Sequence, residues 1–236
     1  MSINLCHLRT ERKNAPRVQG METLSFMREN AQTILFLTGQ HVSIVGVAVG
    51  LAVLTGVPIG IGITQSKRAA DIVLYIAAIV MTIPSIALFG ILIPILSLIG
   101  QGIGYLPAVI AVLLYSQLPI IRNTYTAINN VDPALREAAR GMGMTALERL
   151  RKVELPIAVP VIMAGIRVAV VINIGVTAIA TYIGAGGLGS LISRGISQTD
   201  SRQLIAGAVC VSLLAIIADY GLQWVQRCLT PAGLRV

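Results

Sequence analysis

The chain has 236 residues, of which 55% are hydrophobic and only 12% are charged. Soluble domains carry about 25% charged residues, so this composition excludes an ordinary soluble domain and indicates an integral membrane protein. The net charge of +8 does not indicate nucleic-acid binding, because the basic residues lie in loops beside apolar segments, as in loops that set membrane orientation.

The first 40 residues form an N-terminal extension that is basic up to about residue 20 and then holds an amphipathic segment at 26–37. The basic part has no apolar core, so it does not have the form of a cleavable signal peptide. Met21 is a second plausible start. We expect residues 1–20 to be a disordered extension or to precede the true start, and mass spectrometry of the mature N-terminus would decide.

Five apolar segments follow, each close to the length of about 20 residues that crosses a bilayer. The sequence therefore predicts an all-α, polytopic membrane protein with about five transmembrane helices, at about 41–63, 72–98, 106–121, 161–182 and 204–224. Pro84 and Pro94 interrupt the second segment. We expect a bent helix there, with the freed backbone groups satisfied inside the bundle.

The basic residues predict the orientation of these spans. Ten of them fall on one side of the five-span arrangement: Lys67, Arg68, Arg122, Arg136, Arg140, Arg149, Arg151, Lys152, Arg227 and Arg235. The positive-inside rule places that side, with the loop 123–157 and the tail 226–236, in the cytoplasm. The N-terminus is then outside, where its basic residues fit poorly. A start at Met21 would remove most of this conflict, and a further crossing before His41 is the weaker alternative.

The loop contains a polar stretch from Asp132 to Pro156 that has the pattern of two short helices. Asp132 and Pro133 match an N-cap and a first-turn proline, and Gly141 and Gly143 match a helix end. One small apolar face is predicted on this first helix, formed by Leu135, Ala138, Ala139 and Met142.

The second helix of the stretch begins with a predicted capping box. Thr145 is followed three residues later by Glu148, which is the spacing of that motif. Leu147, Leu150 and Val153 repeat along the helix, and we expect Pro156 to end it. A bent helix pair with a small-residue face, placed between two spans, is suited to a groove on another protein.

Glu137-Ala138-Ala139, then Gly143, then Val153-x-Leu155-Pro156 resembles the EAA signature of binding-protein-dependent ABC transporter permeases, the transmembrane subunits of type I importers. Val153 departs from the isoleucine that is usual there. Residues 154–167 and 183–189 resemble the osmoprotectant branch of that family, which takes glycine betaine, carnitine and choline. The likeness covers about residues 41–225, which would form one type-1 permease domain in the bacterial inner membrane.

The resemblance implies the partners and the roles of individual residues. It implies two ABC ATPase subunits, a second permease copy or a paralogue, an external substrate-binding protein and the lipid bilayer. Coupling to the ATPase would rest on Glu137, Ala138, Ala139, Gly143, Leu155 and Pro156. The alternative is that the stretch lies on anionic lipid headgroups through its basic residues.

We expect no catalytic, metal or cofactor site in this chain. Its three cysteines are odd in number and unclustered, and its two histidines lack the spacing of metal ligands. No segment matches G-x-x-x-x-G-K-[ST], so ATP–Mg would be bound by the partner ATPase and this chain would be a non-catalytic subunit. Gly184, Gly186 and Gly189 satisfy G-x-G-x-x-G, but without its strand–helix context or acidic residue, so helix termination and packing near an outer gate are expected instead.

Several polar residues lie in or near the last two predicted spans. Asn173, Thr177 and Tyr182 either line a pathway or form hydrogen bonds between helices, and the sequence favours neither. Arg167 is expected to reach the headgroups or to form a structural pair rather than to bind substrate. Asp219 is expected to pair with a nearby arginine.

The resemblance implies transport of glycine betaine, choline or carnitine, with an amino acid such as methionine as the alternative substrate. A function of another class, an ion-coupled secondary transporter, usually requires carboxylates inside the membrane. Here the acidic residues lie outside the predicted spans or near their ends, which argues against ion coupling.

Overall fold

The computed structural model describes residue 20 and residues 22–230, so the predictions for residues 1–19, Met21 and 231–236 lie outside the described part. Residues 22–29 are helical. Nine further helices follow: α1 (Ala31–Gly62), α2 (Lys67–Thr82), α3 (Ser85–Ser97), α4 (Tyr105–Asn129), α5 (Pro133–Gly141), α6 (Ala146–Arg149), α7 (Leu155–Ile179), α8 (Gly189–Ser197) and α9 (Ser201–Leu229).

Four stretches of helix in the described chain are long and apolar enough to cross a membrane: 31–65, 105–129, 146–183 and 201–229. The pair α2 and α3 passes the same test together, with a bend of 99° between its halves. The predicted all-α architecture of about five crossings is therefore confirmed.

The bend between α2 and α3 lies at Pro84, as predicted. Pro84 is the N-cap of α3, and Ile83 before it is extended with ψ of 126°, as expected for a residue that precedes proline. The Ile83 carbonyl is no longer bonded within a helix and accepts a hydrogen bond from the Tyr115 hydroxyl of α4. The freed backbone group is thus satisfied inside the bundle.

The prediction of a second break at Pro94 is wrong, because Pro94 lies inside α3. Leu92 and Leu96 on either side of it are buried in the same apolar cluster as Phe89. This packing keeps the helix continuous although one backbone hydrogen bond is missing.

Helix α1 begins at Ala31, about ten residues before the predicted start of the first span. Its 32 residues extend about 48 Å at the α-helical rise, which exceeds the bilayer core of about 30 Å. The early turns are stabilised by tertiary contact, because Leu37 and Ile34 pack against Leu188, Leu191 and Cys210 of the α8–α9 region.

Helix α4 is central in the bundle and packs against both α1 and α7. Gly165 of α7 faces it, where an added Cβ would lie 2.6 Å from Cβ of Asn123 and 2.7 Å from the Pro119 carbonyl oxygen. Small residues allow this close approach of two helices in a membrane protein. The crossing of α4 and α7 therefore depends on a glycine at position 165.

The two ends of the bundle differ in chemistry. At one end the amide of Gly104 donates to the Ile183 carbonyl, and Gln40 accepts from the amide of Gly187. At the other end Arg136 contacts the Ile128 carbonyl and Glu154. The basic polar stretch thus lies at the end opposite the glycine-rich turn, and its cytoplasmic orientation stays a prediction.

Candidate coupling site

The first short helix, α5, is capped at both ends by its own sequence. The Asp132 carboxylate accepts a hydrogen bond from the amide of Ala134 at 2.8 Å, with Pro133 in the first turn. At the other end Gly143 has φ of +76°. The Gly143 amide donates to the Arg140 carbonyl at 2.9 Å, and the next amide donates to the Ala139 carbonyl at 3.1 Å. These two bonds form a Schellman motif, as the glycine position predicted.

The capping box that opens α6 is also present. The Thr145 amide donates to the Glu148 carboxylate at 3.0 Å, and the Glu148 amide donates to the Thr145 hydroxyl at 3.3 Å. Both caps depend only on residues a few positions apart, and this is why the sequence predicts them correctly.

The expectation that Pro156 ends the second helix is wrong. Residues Leu150–Glu154 form a π turn that joins α6 to α7 without a break, and the helical stretch continues from residue 146 to 183. In the π turn the Leu155 amide donates to the Leu150 carbonyl, five residues back. Pro156 has no amide hydrogen for the carbonyl four residues before it, and the wider turn accommodates that loss.

The six predicted coupling residues do not share one surface. Glu137, Ala138 and Gly143 are exposed, whereas Ala139 is 1% exposed and is buried within this chain. Leu155 and Pro156 are half-buried, and Leu155 packs on the apolar cluster of Ala127, Ile128, Ala158 and Ile162. The motif therefore has an outer part and an inner part that joins the loop to the bundle.

The predicted apolar face of α5 is divided in the same way. Ala139 faces inward, but Leu135 and Met142 are 45% and 68% exposed. Leu147 of α6 is 55% exposed. We call Leu135, Met142 and Leu147 the outer apolar residues of the loop.

Glu154 is a site residue to which the sequence assigned no role. It is buried, and its Oε1 lies 2.9 Å from Nε of Arg149 and 3.3 Å from Nε of Arg136. Arg136 also donates from Nη2 to the carbonyl of Ile128 at the end of α4. The available signal was an acidic residue directly before Leu155-Pro156 with arginines in the same stretch, but their distances depend on the π turn.

The three candidate pathway residues do not share one environment. Asn173 is fully buried, and its Nδ2 donates to the Ser116 hydroxyl of α4 and to the Ala169 carbonyl, both at 2.8 Å. Thr177 is also fully buried, whereas Tyr182 is 61% exposed on the turn Ala180–Ile183. For Asn173 the structure supports the interhelical hydrogen bond. A pathway role for the three residues stays a prediction.

Arg167 and Asp219 form the expected structural pair between α7 and α9. Arg167 Nε and Nη2 donate to the two carboxylate oxygens at 2.8 and 2.9 Å. Gln226 accepts from Arg167 at 3.3 Å and donates to the carbonyl of Pro160 at 3.1 Å. The bidentate geometry gives this pair orientation as well as charge compensation.

The glycine-rich turn has the packing role expected for it. Gly184 has φ of +77° and ends the turn Ala180–Ile183. At Gly189 an added Cβ would lie 1.9 Å from the carbonyl oxygen of Ala178. The turn thus closes tightly on the end of α7, and no strand accompanies it within residues 22–230.

An all-helical bundle of about five crossings, with a capped polar helix pair at one end, defines a multi-pass membrane protein. The profile of the family described as "Binding-protein-dependent transport system inner membrane component" matches residues 52–231. The chain belongs to this family and is a multi-pass protein of the inner membrane, as the EAA signature indicated.

The similar proteins carry related names. The chain is 57% identical over 215 residues to the osmoprotectant import permease protein OsmW of Salmonella typhimurium, across 91% of this chain and 100% of that protein. It is 42% identical to the glycine betaine/carnitine/choline transport system permease protein OpuCB of Bacillus subtilis, across 91% and 96%. The predicted likeness to the osmoprotectant branch is thereby confirmed.

Solved structures share the fold. One inward-facing form of the MetNI methionine ABC transporter superposes with a TM-score of 0.75 at 24% identity, covering 84% of this chain and 96% of the other. An amino acid ABC transporter solved with histidines gives 0.71 at 19% identity, covering 85% and 96%. At these identities the likeness concerns the fold.

Proposed function

We propose that this chain is the permease subunit of an ATP-driven importer and forms half of the translocation pathway for an osmoprotectant such as glycine betaine, choline or carnitine. The names of the relatives, at up to 57% identity across most of the chain, support this substrate class. The chain would pair with a second copy or a paralogue about a two-fold axis and receive substrate from an external binding protein.

The coupling to a separate ATPase rests on one observation, the outer apolar residues Leu135, Met142 and Leu147. They are exposed on a helix pair whose caps and ion pairs hold it rigid. Large apolar side chains that are exposed on a polar helix pair are typical of a protein interaction site. The ATPase would bind here, and Glu137 is exposed beside it for a charge-assisted hydrogen bond.

Transport then follows from the rigidity of this connection. Closure of the ATPase dimer on ATP would displace α5 and α6, and the uninterrupted helix from 146 to 183 would carry that displacement into the bundle. A ligand shifts a two-state equilibrium only by its differential affinity for the two states. The ATPase must therefore bind the loop differently in the inward- and outward-facing states, and a flexible loop would lose that difference.

The alternative that the loop lies on lipid headgroups is less well supported. Arg136 and Arg149 point inward to Glu154, so two of the five basic residues that would suit anionic lipid are already paired. Arg140, Arg151 and Lys152 remain exposed. Lys152 also pairs with Glu148, and three exposed cations give weaker surface attraction than five.

The two other candidate functions have less support. For methionine or another amino acid as substrate, the argument is a fold likeness below 25% identity. For ion coupling, a carboxylate free to bind an ion inside the membrane is required. Asp219, the one acidic residue within α9, is bound by Arg167.

The experiment is reconstitution of this permease with its ATPase and binding protein in liposomes, with uptake of radiolabelled glycine betaine as the readout. We expect uptake that needs ATP inside the vesicle, is competed by choline or carnitine, and is unaffected by excess methionine. Met142→Arg should abolish co-purification of the ATPase, whereas Leu229→Arg, a matched exposed residue at the end of α9, should not. Uptake that follows a proton gradient without ATP would overturn the proposal.

A further inference from the structure

Glu154 is the one buried acidic side chain among the described residues, and neither the EAA motif nor the family match assigns it a role. It lies at the last position of the π turn, directly before Leu155-Pro156. A buried charge is costly unless it is paired. The buried position of Glu154 between the coupling helices and α7 is therefore explained by the cations that it binds.

The π turn is what brings Glu154 to Arg149. On an α-helix, neighbours on one face are three or four residues apart, and residues five apart point in different directions. In the π turn each amide reaches the carbonyl five residues back, as Leu155 does to Leu150. Residues 149 and 154 therefore stack, and Nε of Arg149 donates to Oε1 of Glu154 at 2.9 Å.

The same carboxylate oxygen holds the first coupling helix. Arg136 of α5 lies 3.3 Å from Oε1 of Glu154 and also donates to the carbonyl of Ile128 at the end of α4. One carboxylate thus connects α5 and α6 to the start of α7, and through Arg136 to α4. By contrast, both side chains of the neighbouring Glu148–Lys152 pair are exposed, with 3.4 Å between the charged atoms. Exposed ion pairs of this kind contribute little to the free energy of folding.

We infer that Glu154 is the positioning residue that makes the two coupling helices move as one body with α7, and that Pro156 acts by imposing the π turn that aims Glu154 at Arg149. This inference rests on the proposed coupling to an ATPase. It assigns the Leu-Pro part of the motif a specific task. The proline does not end a helix but changes the phase between α6 and α7 by one residue, about 100° of rotation.

The test is Glu154→Gln in the reconstituted complex of permease, ATPase and binding protein. Glutamine keeps the size of the side chain but leaves two inward-facing guanidinium groups without a counter-charge. We expect the ATPase to co-purify as with wild type, while the number of substrate molecules taken up per ATP hydrolysed falls about tenfold, within the range of typical coupling free energies. A residue that only supported folding would lower assembly and leave this ratio unchanged.

The matched control is Glu148→Gln, which removes the exposed pair with Lys152 and keeps the capping box, since glutamine also serves there. Its transport ratio should equal that of wild type. Pro156→Ala should lower the ratio as Glu154→Gln does, and the double variant should lose no more than either single one, because both act through one contact.

The outcomes separate the two ideas. If wild type couples and Glu154→Gln has the same ratio, the inference is overturned and the proposed function stands. If wild type neither binds the ATPase nor uses ATP, the proposed function itself fails. If Glu154→Gln does not assemble, Arg149→Gln and Pro156→Ala decide the matter. Each removes the contact between residues 149 and 154 but keeps the Glu154 carboxylate as the counter-charge of Arg136.

Discussion

Gly143 allows a sharp test of the corner between the two coupling helices, because Gly141 provides a matched control two residues away. An added Cβ would meet no atom within 4 Å at either position, but only Gly143 has a positive φ, +76°. Any difference between alanine variants at the two sites therefore reports backbone conformation alone.

The magnitudes follow from that geometry. Alanine at 143 must adopt the left-handed conformation, which costs about 1–2 kcal/mol for a residue with a Cβ. Alanine at 141, the last residue of α5, should stabilise the helix by up to about 1 kcal/mol relative to glycine. The two variants should thus differ by roughly 2 kcal/mol in the free energy of opening the corner, about a thirtyfold difference in the open population.

The assay is amide hydrogen exchange of the complex in lipid nanodiscs, read at the amides of Gly143 and Met144 that close the Schellman motif. Exchange there should be faster in Gly143→Ala than in wild type, and slower or unchanged in Gly141→Ala. Gly143→Pro, which also loses the amide hydrogen bonded to Arg140, should insert normally and abolish uptake. So should Glu137→Arg. Equal exchange in the two alanine variants would refute the reasoning, and so would normal uptake by Gly143→Pro.

Three further outcomes are expected. Gly165→Ala should lower the free energy of unfolding of the detergent-solubilised chain by about 1–3 kcal/mol through overpacking, because the added Cβ would lie 2.6 Å from an α4 side chain. An unchanged melting temperature would contradict the close crossing of α4 and α7. Asp219→Asn should lower the free energy of unfolding by about 1–2 kcal/mol, a figure discounted for the partial exposure of the pair. The double variant Asp219→Asn/Arg167→Gln should lose less stability than the sum of the two single variants. Hydrogen bonds from the Arg202 side chain hold the pKa of Asp200 below its ordinary value. The ionised Asp200 therefore stabilises the start of α9 fully above the ordinary pKa, and this stabilisation is lost as pH falls through the lowered pKa. Hydrogen exchange of the first α9 amides should become faster at low pH in wild type and should not depend on the titration of residue 200 in Asp200→Asn.

The first helix, α1, is longer than the sequence predicted, and its early turns belong to the bundle. The helix extends beyond the predicted first span and is anchored by Leu37 on the α8–α9 region, at the end of the bundle that carries the glycine-rich turn. Residues 22–40 are thus part of the fold on that side. The basic residues before position 20, which caused the conflict, lie outside the described part.

The sequence alone determined the features that depend on nearby residues or on composition. The number of apolar segments, the bend at Pro84, the caps at Asp132, Gly143 and Thr145, and the family that the EAA signature indicates were predicted correctly, because each depends on composition or on residues a few positions apart. Polar side chains at these caps have one nearby backbone partner, and a bilayer leaves few alternatives to helices for apolar segments.

Only the tertiary structure decided which side of each element is buried and what it contacts. Asn173 bonds Ser116, 57 positions away, and Ala139 faces its own bundle while Ala138 next to it is exposed. The contact of Glu154 with Arg149 depends on a π turn that no periodicity in the sequence predicted. The physical reason is common to all three: the free energy of placing a polar or small group inside depends on partners that the chain brings together only by folding.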